Sequence, residues 1–192
     1  KCLTANNILQ SSQPFRKFSY ICVISSSRTM YIGLISDTHG IFDARFKEFL
    51  EPVDQIWHAG DFGGGMELVE EISRFKPLIG VAGNCDNHDL RFIHPLHRFF
   101  ECEGMKILMT HIGGYPGRYD ARALKLINEY QPDIFVCGHS HILKVVRDIK
   151  RNMLVVNPGA AGIQGFHIVR TALRFHIDNG VIHDMEIYEL DR

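Results

Sequence analysis

Five short polar motifs interrupt this chain, and each falls where an apolar, strand-like run ends: Asp37-Thr38-His39-Gly40, Gly60-Asp61, Gly83-Asn84, Thr110-His111 and Gly138-His139-Ser140-His141. For these motifs to act together, the fold must bring several strand ends to one rim. Open α/β sheets do this, because their ligand sites lie outside the carboxyl ends of the strands. The intervening chain fits. Tyr31–Ser36, Gln55–Ala59 and Pro77–Ala82 read as buried strands. Phe42–Leu50 and Met66–Phe75 between them carry apolar residues at helix spacing, as in Phe46/Phe49/Leu50 and Met66/Val69/Ile72. Strand–helix–strand units of this length predict parallel strands with right-handed crossovers.

Further along, Arg98–Cys102 and Lys106–Thr110 flank a Glu103-Gly104 turn and read as a hairpin. Ala121–Tyr130 reads as a helix, with Asp120 as N-cap and Pro132 as stop signal. Ile134–Cys137, Leu143–Asp148 and Met153–Val156 are further strands, and Asp178-Asn179-Gly180 turns a last hairpin of Thr171–Ile177 and Val181–Leu190. Parallel units first and hairpins later predict an α/β (α+β) fold of two mixed β-sheets packed as a sandwich with flanking helices.

With 192 residues, 45% hydrophobic and 22% charged, the chain is long enough for one domain with a proper core. That domain is read over residues 30–192. Residues 1–29 differ: they hold no Asp or Glu, are rich in Ser, and carry Lys1, Arg16, Lys17 and Arg28. This is also the composition of a transit peptide. Because Met30 directly precedes the first strand, residues 1–29 are expected to be a leader outside the fold.

A net charge of −1 without a basic cluster gives a dedicated nucleic-acid surface no electrostatic support, and no apolar run is long enough to span a bilayer. A nucleotide-sized substrate remains compatible, since metal ions could hold it. The five cysteines, Cys2, Cys22, Cys85, Cys102 and Cys137, are odd in number and scattered, which predicts free thiols and a reducing cytoplasm.

Two Asp, one Asn and four His offer mixed oxygen and imidazole donors, which suit Mn, Fe, Co, Ni or Zn better than Mg or Ca. Two such ions at roughly 3.5–4 Å can activate water and clamp a phosphoryl group. Asp37 and His39, two apart on an extended backbone, are expected to point the same way. Asp61 is followed by Gly63-Gly64-Gly65, which let backbone approach closely. Asn84 is a turn former by type, and only its position at a strand end raises it. Gly138-His139-Ser140-His141 is the most specific motif, because it puts two imidazoles in one pocket where protonating both is disfavoured. His58 reads as a hydrogen-bonded core residue. His94, His97, His167, His176 and His183 read as surface or strand residues.

In this order the motifs resemble the signature of the calcineurin-like metallophosphoesterases. The short chain, Gly83-Asn84-Cys85-Asp86 and Asn157-Pro158-Gly159 are similar to the YfcE-like small phosphodiesterase branch, over Met30 to about Leu190. The resemblance implies a β-sandwich with flanking helices and a divalent-metal-dependent phosphoesterase. Within that class it points to a phosphodiesterase hydrolysing a small or nucleotide-like phosphodiester with a metal-bridging hydroxide. It implies two divalent transition-metal ions, Mn first and Fe, Ni, Co or Zn as alternatives. One would be held by Asp37, His39, Asp61 and His141, the other by Asp61, Asn84, His111 and His139, with Asp61, Asn84 and His111 central to catalysis. A homo-oligomer is expected by family analogy alone.

Three departures stand out. Cys85 replaces the histidine that in many relatives acts on the leaving group, which predicts either a preference for diesters with good leaving groups or an acid recruited from His88 or water. Ala160 replaces the serine of the familiar Asn-Pro-Gly-Ser. Residues 111–118 depart from the commoner histidine-glycine-histidine form, with Tyr115 and Arg118 as candidates for substrate contact. The competing functions are a phosphomonoesterase using the same metals, and a non-catalytic scaffold like the retromer subunit of this fold. An exposed apolar patch at Phe99, Phe100, Phe166 or Phe175 would favour the scaffold.

Overall fold

A computed structural model describes residues 29–192. Apart from Thr29, the expected leader lies outside the described residues. The first half of the chain forms β1 (Met30–Ile35), α1 (Ala44–Leu50), β2 (Gln55–His58), α2 (Gly65–Phe75), β3 (Leu78–Gly80), α3 (His88–Ile93), β4 (His97–Cys102) and β5 (Met105–Thr110). There follow β6 (Gly114–Tyr115), β7 (Arg118–Tyr119), α4 (Ala121–Tyr130), β8 (Ile134–Val136), β9 (Leu143–Asp148), β10 (Met153–Pro158), β11 (Val169–Asp178) and β12 (Val181–Asp191).

Two five-stranded sheets result, in the orders β12-β11-β1-β2-β3 and β4-β5-β8-β10-β9. Each has a parallel trio, β1/β2/β3 in one and β5/β8/β10 in the other. Antiparallel strands complete both. The mixed sandwich is as expected, but the order of units is not. Parallel units recur after the first hairpin, because α4 is itself a crossover between the parallel strands β5 and β8. The six-residue α3 and the two-residue strands β6 and β7 are too short to show a period in the sequence.

The central strands β1, β2, β5, β8 and β10 are mostly apolar because both of their faces are covered, whereas the edge strands β4, β9 and β12 carry polar residues on an open face. Ile32 and Leu34 of β1 point between the sheets, where they join Trp57, Val81, Ile107, Ile134, Val136 and Phe175. Ile35 faces the other way, onto the layer of α1 and α2 with Phe46, Leu50, Leu68 and Ile72. In the second sheet Phe135 and Cys137 turn outward to α4, against Ala123 and Ile127. Asp120 caps α4 as predicted, accepting from the backbone N–H groups of Arg122 (2.9 Å) and Ala123 (3.2 Å).

Asp43 caps α1 by accepting from Arg45 N (3.0 Å), and its other oxygen pairs at 2.9 Å with the buried Arg170 guanidinium. The Arg45 side chain, the Arg45 backbone N–H and Arg170 together hold the Asp43 carboxyl well below the usual carboxylate range. A carboxylate whose folded pKa is depressed stabilises above its unfolded pKa of about 3.9, and that contribution fades as pH falls below it. Asp43→Ala should cost about 3 kcal/mol at pH 7, as expected for breaking a buried pair from one side. The difference from wild type should shrink at pH 3. Urea unfolding at the two pH values checks both the cost and its sign.

Candidate metal centre

The carboxyl ends of β1, β2, β3, β5 and β8 open on one rim, and the loops leaving them carry all seven predicted donors. Five of these sit in the left-handed backbone region: Asp37 (φ 53°), His39 (46°), Asp61 (55°), His139 (67°) and His141 (56°). Such conformations cost about 1–3 kcal/mol each and collect where side chains must be aimed. Asp37 and His39 therefore do not share a direction by lying on extended backbone, as their spacing suggested. The chain turns off β1 and is laced to the loop after β2 by Asp37 N→Gly60 O (2.9 Å), His39 N→Asp61 O (3.1 Å) and Gly40 N→Phe62 O (2.7 Å).

Side chains behind the rim fix the other loops. Asp86 is buried and accepts from Gly63 N (3.1 Å) and Gly83 N (2.7 Å), tying the loops after β2 and β3 together. Asn157, at the end of β10, donates to Gly138 O (2.7 Å) and Ser140 Oγ (3.1 Å), which anchors the two-histidine loop. His58 is fully buried, hydrogen-bonded to Thr38 Oγ1 (2.9 Å) and stacked on Phe62, the core role read from sequence. Burial drives its pKa well down, so it stays neutral.

Six of the seven donors fall into two triads, Asp37/His39/His141 and Asp61/His111/His139, each with donor atoms within 4.8 Å of one another. The triads adjoin, since Asp61, His39 and Cys85 also lie within 4.8 Å. Asn84 stands on the exposed rim with its amide nitrogen 3.3 Å from Cys85 Sγ.

The polar atoms of the site suit a cation. Asp37 and Asp61 are 0% and 2% exposed, and Asp37 Oδ1 and His111 Nε2 are buried without a hydrogen bond. His39 Nε2 and His141 Nε2 face each other at 3.4 Å, and His141 Nε2 lies 3.1 Å from Asp37 Oδ1. His111 Nδ1 donates to Ala59 O (2.8 Å), which leaves its Nε2 lone pair free, 3.2 Å from Asp61 Oδ2. Burial opposes charge on His111, but the Asp61 and Asp37 carboxylates outweigh it and raise its pKa. Burial likewise opposes charge on Asp61, yet His111 and the Cys85 backbone N–H hold its carboxyl well below the usual range. Facing lone pairs and buried carboxylate oxygens are stable as a group when a divalent cation sits among them.

Beside Asn84 and His111 opens a cleft of about 690 Å³ whose lining includes Arg91, Leu96, Ile112, Arg122, Lys125 and Leu126. Tyr115 and Arg118 border a second hollow on the His139 side, in the small β6–β7 ribbon, where the Lys144 ammonium lies 3.9 Å from the Tyr115 ring centroid. The apolar patch that would favour a scaffold does not form as expected: Phe175 is fully buried, Phe99 and Phe100 pack into the cores, and only Phe166 of the four is exposed. Two further residues of the site had no role assigned from sequence. Asp86 is part of the Gly83-Asn84-Cys85-Asp86 motif, but its place behind the rim, tying two loops together, is not visible there. His167 is a single histidine in a loop, yet its Nδ1 lies 3.1 Å from His141 Nδ1.

Sheet order and donor set together define an α/β sandwich with a candidate metal centre on one rim. Residues 30–180 match the model of the calcineurin-like phosphoesterase superfamily domain. A probable metallophosphoesterase of Methanothermobacter thermautotrophicus is 33% identical over 138 residues, 68% of this chain and 77% of that protein. The chain belongs to the calcineurin-like phosphoesterase superfamily, which supports metal-dependent hydrolysis of phosphoesters as its chemistry. Among solved structures, a predicted phosphoesterase from Streptococcus pneumoniae superposes with a TM-score of 0.59 at 21% identity, covering 87% of this chain and 100% of that one. Vps29 from Chaetomium thermophilum does so at 0.63 and 16%, covering 84% and 95%. These two likenesses speak to fold alone. Among the described residues no helix is long and apolar enough to cross a membrane.

Proposed function

We propose that the protein is a phosphodiesterase that acts on a small or nucleotide-like phosphodiester at a two-ion centre, with Mn as the leading metal. The observation that carries this reading is the convergence of two buried carboxylates and four imidazoles on adjoining triads. Asp37, His39, Asp61 and His141 would hold one ion, and Asp61, Asn84, His111 and His139 the other. Bound there, the cations would lower the pKa of an attacking water and neutralise charge growing on the phosphoryl oxygens.

The chain's own groups prepare that chemistry. The Ala59 carbonyl keeps the proton of His111 on Nδ1, so its Nε2 faces the site as a donor. Burial of both aspartates keeps water from competing for their oxygens. The cleft beside Asn84 offers room for the organic arm of a diester, with Arg122 and Lys125 to meet a further negative charge. The free thiols Cys85, Cys102 and Cys137 accord with work in a reducing cytoplasm.

Cys85 decides the leaving-group preference. Burial and the neighbouring Asp61 carboxylate push its thiol up to about 11, which makes it a poor proton donor to a departing alkoxide. Diesters with good leaving groups are therefore preferred. Cys85→His should raise turnover of alkyl esters relative to p-nitrophenyl esters by about tenfold or more, since general acid catalysis contributes about 10²–10⁴-fold where it operates. An unchanged ratio would contradict this role of Cys85. The class assignment is tested by comparing bis-p-nitrophenyl phosphate with p-nitrophenyl phosphate under Mn²⁺. Faster turnover of the diester is expected, and a clear preference for the monoester would make the protein a phosphomonoesterase.

A further inference from the structure

We propose that His167 is a positioning residue that fixes the tautomer of His141 and thereby keeps one metal position competent, a role that rests on the metal centre proposed above.

His167 lies in the loop between β10 and β11, away from the five motifs. Its Nε2 is 3.1 Å from the Gly162 carbonyl oxygen. A carbonyl can only accept, so Nε2 carries the proton and His167 Nδ1 bears a lone pair. That lone pair lies 3.1 Å from His141 Nδ1, which must then be the donor. His141 is thus left with a bare Nε2, the atom 3.1 Å from Asp37 Oδ1 and 3.4 Å from His39 Nε2. Two hydrogen bonds in series, starting at a backbone carbonyl, aim the His141 lone pair into the centre.

The alternative tautomer shows why this is needed. Asp37 Oδ1 is buried without a hydrogen bond and lies 3.1 Å from His141 Nε2, so the other tautomer of His141 would donate to it. A His141 in that state cannot ligate. His167 opposes that tautomer by accepting from Nδ1.

The loop is built around this contact. Gly165 has φ 110°, and a Cβ there would stand 2.4 Å from His141 Nδ1 and 3.2 Å from His167 Nδ1. The loop is held from outside by the buried Arg170, which donates to Ala161 O (2.8 Å), and by Arg192, which donates to Gly165 O (2.8 Å).

The test uses the full chain, stripped of metal and titrated calorimetrically with Mn²⁺, with ¹⁵N NMR of the histidine rings as a readout independent of activity. Wild type should bind two ions and show His141 protonated at Nδ1 before metal is added. His167→Ala should weaken one ion roughly 10- to 100-fold, leave the other unchanged, and move the His141 proton to Nε2. His167→Asn sets an amide oxygen at the position of Nδ1 and should restore most of the affinity. Unaltered affinity and tautomer in the alanine variant would overturn the proposal, as would equal losses in both variants with no change of tautomer. A wild-type chain that binds no divalent ion would defeat the metal centre and this role with it. The tautomer in metal-free protein tells that failure from one confined to His167.

Discussion

Asp61→Asn is expected to lower phosphoesterase turnover on the order of 10³-fold or more while leaving the fold intact. Asp61 Oδ1 accepts from Cys85 N at 2.7 Å, and Oδ2 lies 3.2 Å from His111 Nε2. The same carboxylate reaches both triads, so its charge serves both proposed ions. Asparagine keeps the size and an oxygen for the Cys85 N–H but removes that charge. Loss of metal stabilisation amounts to several kcal/mol, and about 1.4 kcal/mol is worth a factor of ten in rate. Against the cost of burial, His111 and the Cys85 N–H hold the Asp61 carboxyl well below the usual range, so its charge stabilises the folded chain at neutral pH. The metal-free variant should therefore melt lower than wild type while still unfolding cooperatively. Initial rates with saturating Mn²⁺, together with thermal melts, check both halves. Activity within about tenfold of wild type would show that Asp61 is not a shared ligand.

Gly83→Ala should be nearly as damaging, although it adds one methyl group and changes no charge. A Cβ on Gly83 would stand 2.0 Å from Asp61 Oδ1 and 2.3 Å from Asp61 N. The second contact is with backbone, which cannot swing aside as a flexible side-chain tip could. Either the loop after β3 or the loop after β2 must move, and Asp86, which bridges Gly63 and Gly83, resists their separation. A shift of about 1 Å at reacting groups costs on the order of 10²-fold in rate. The expected result is at least that loss, with weakened Mn²⁺ binding and a cooperative unfolding transition still present. Wild-type kinetics in this variant would mean that Asp61 tolerates displacement and is not held to a fixed metal geometry.

The convergence of the candidate site was legible because residue types that can bind metal are chemically distinctive and each is tied to a strand end. The apolar runs were legible for a related reason: Ile134 and Val136 face one core and Phe135 and Cys137 the other, so the whole run is apolar. What stayed hidden was conformation and contact. Asp37 and His39 have the same two-residue spacing whether extended or in left-handed turns, and only the three-dimensional lacing to Gly60, Asp61 and Phe62 tells them apart. The role of α4 as a parallel crossover is present in the strand–helix–strand order of residues 106–137, but β5 has an antiparallel neighbour in β4 and a parallel one in β8, and the order of elements alone does not separate the two. Phe175 shares the inward face of β11 with Leu173 and Ile177, in alternation with Arg174 and His176, so its burial follows from a two-residue period that the sequence does carry. His167 acts through a single nitrogen on a loop, and no pattern in the chain marks it.

The proposed chemistry requires that this rim bind metal and use it. The most direct measurement is hydrolysis of bis-p-nitrophenyl phosphate by metal-stripped protein, with and without added Mn²⁺. Turnover that is absent without metal, restored by Mn²⁺ and lost in Asp61→Ala is the predicted result. Turnover that ignores metal removal, or no turnover with any divalent cation, would contradict it, and the latter would leave the binding-scaffold reading in its place.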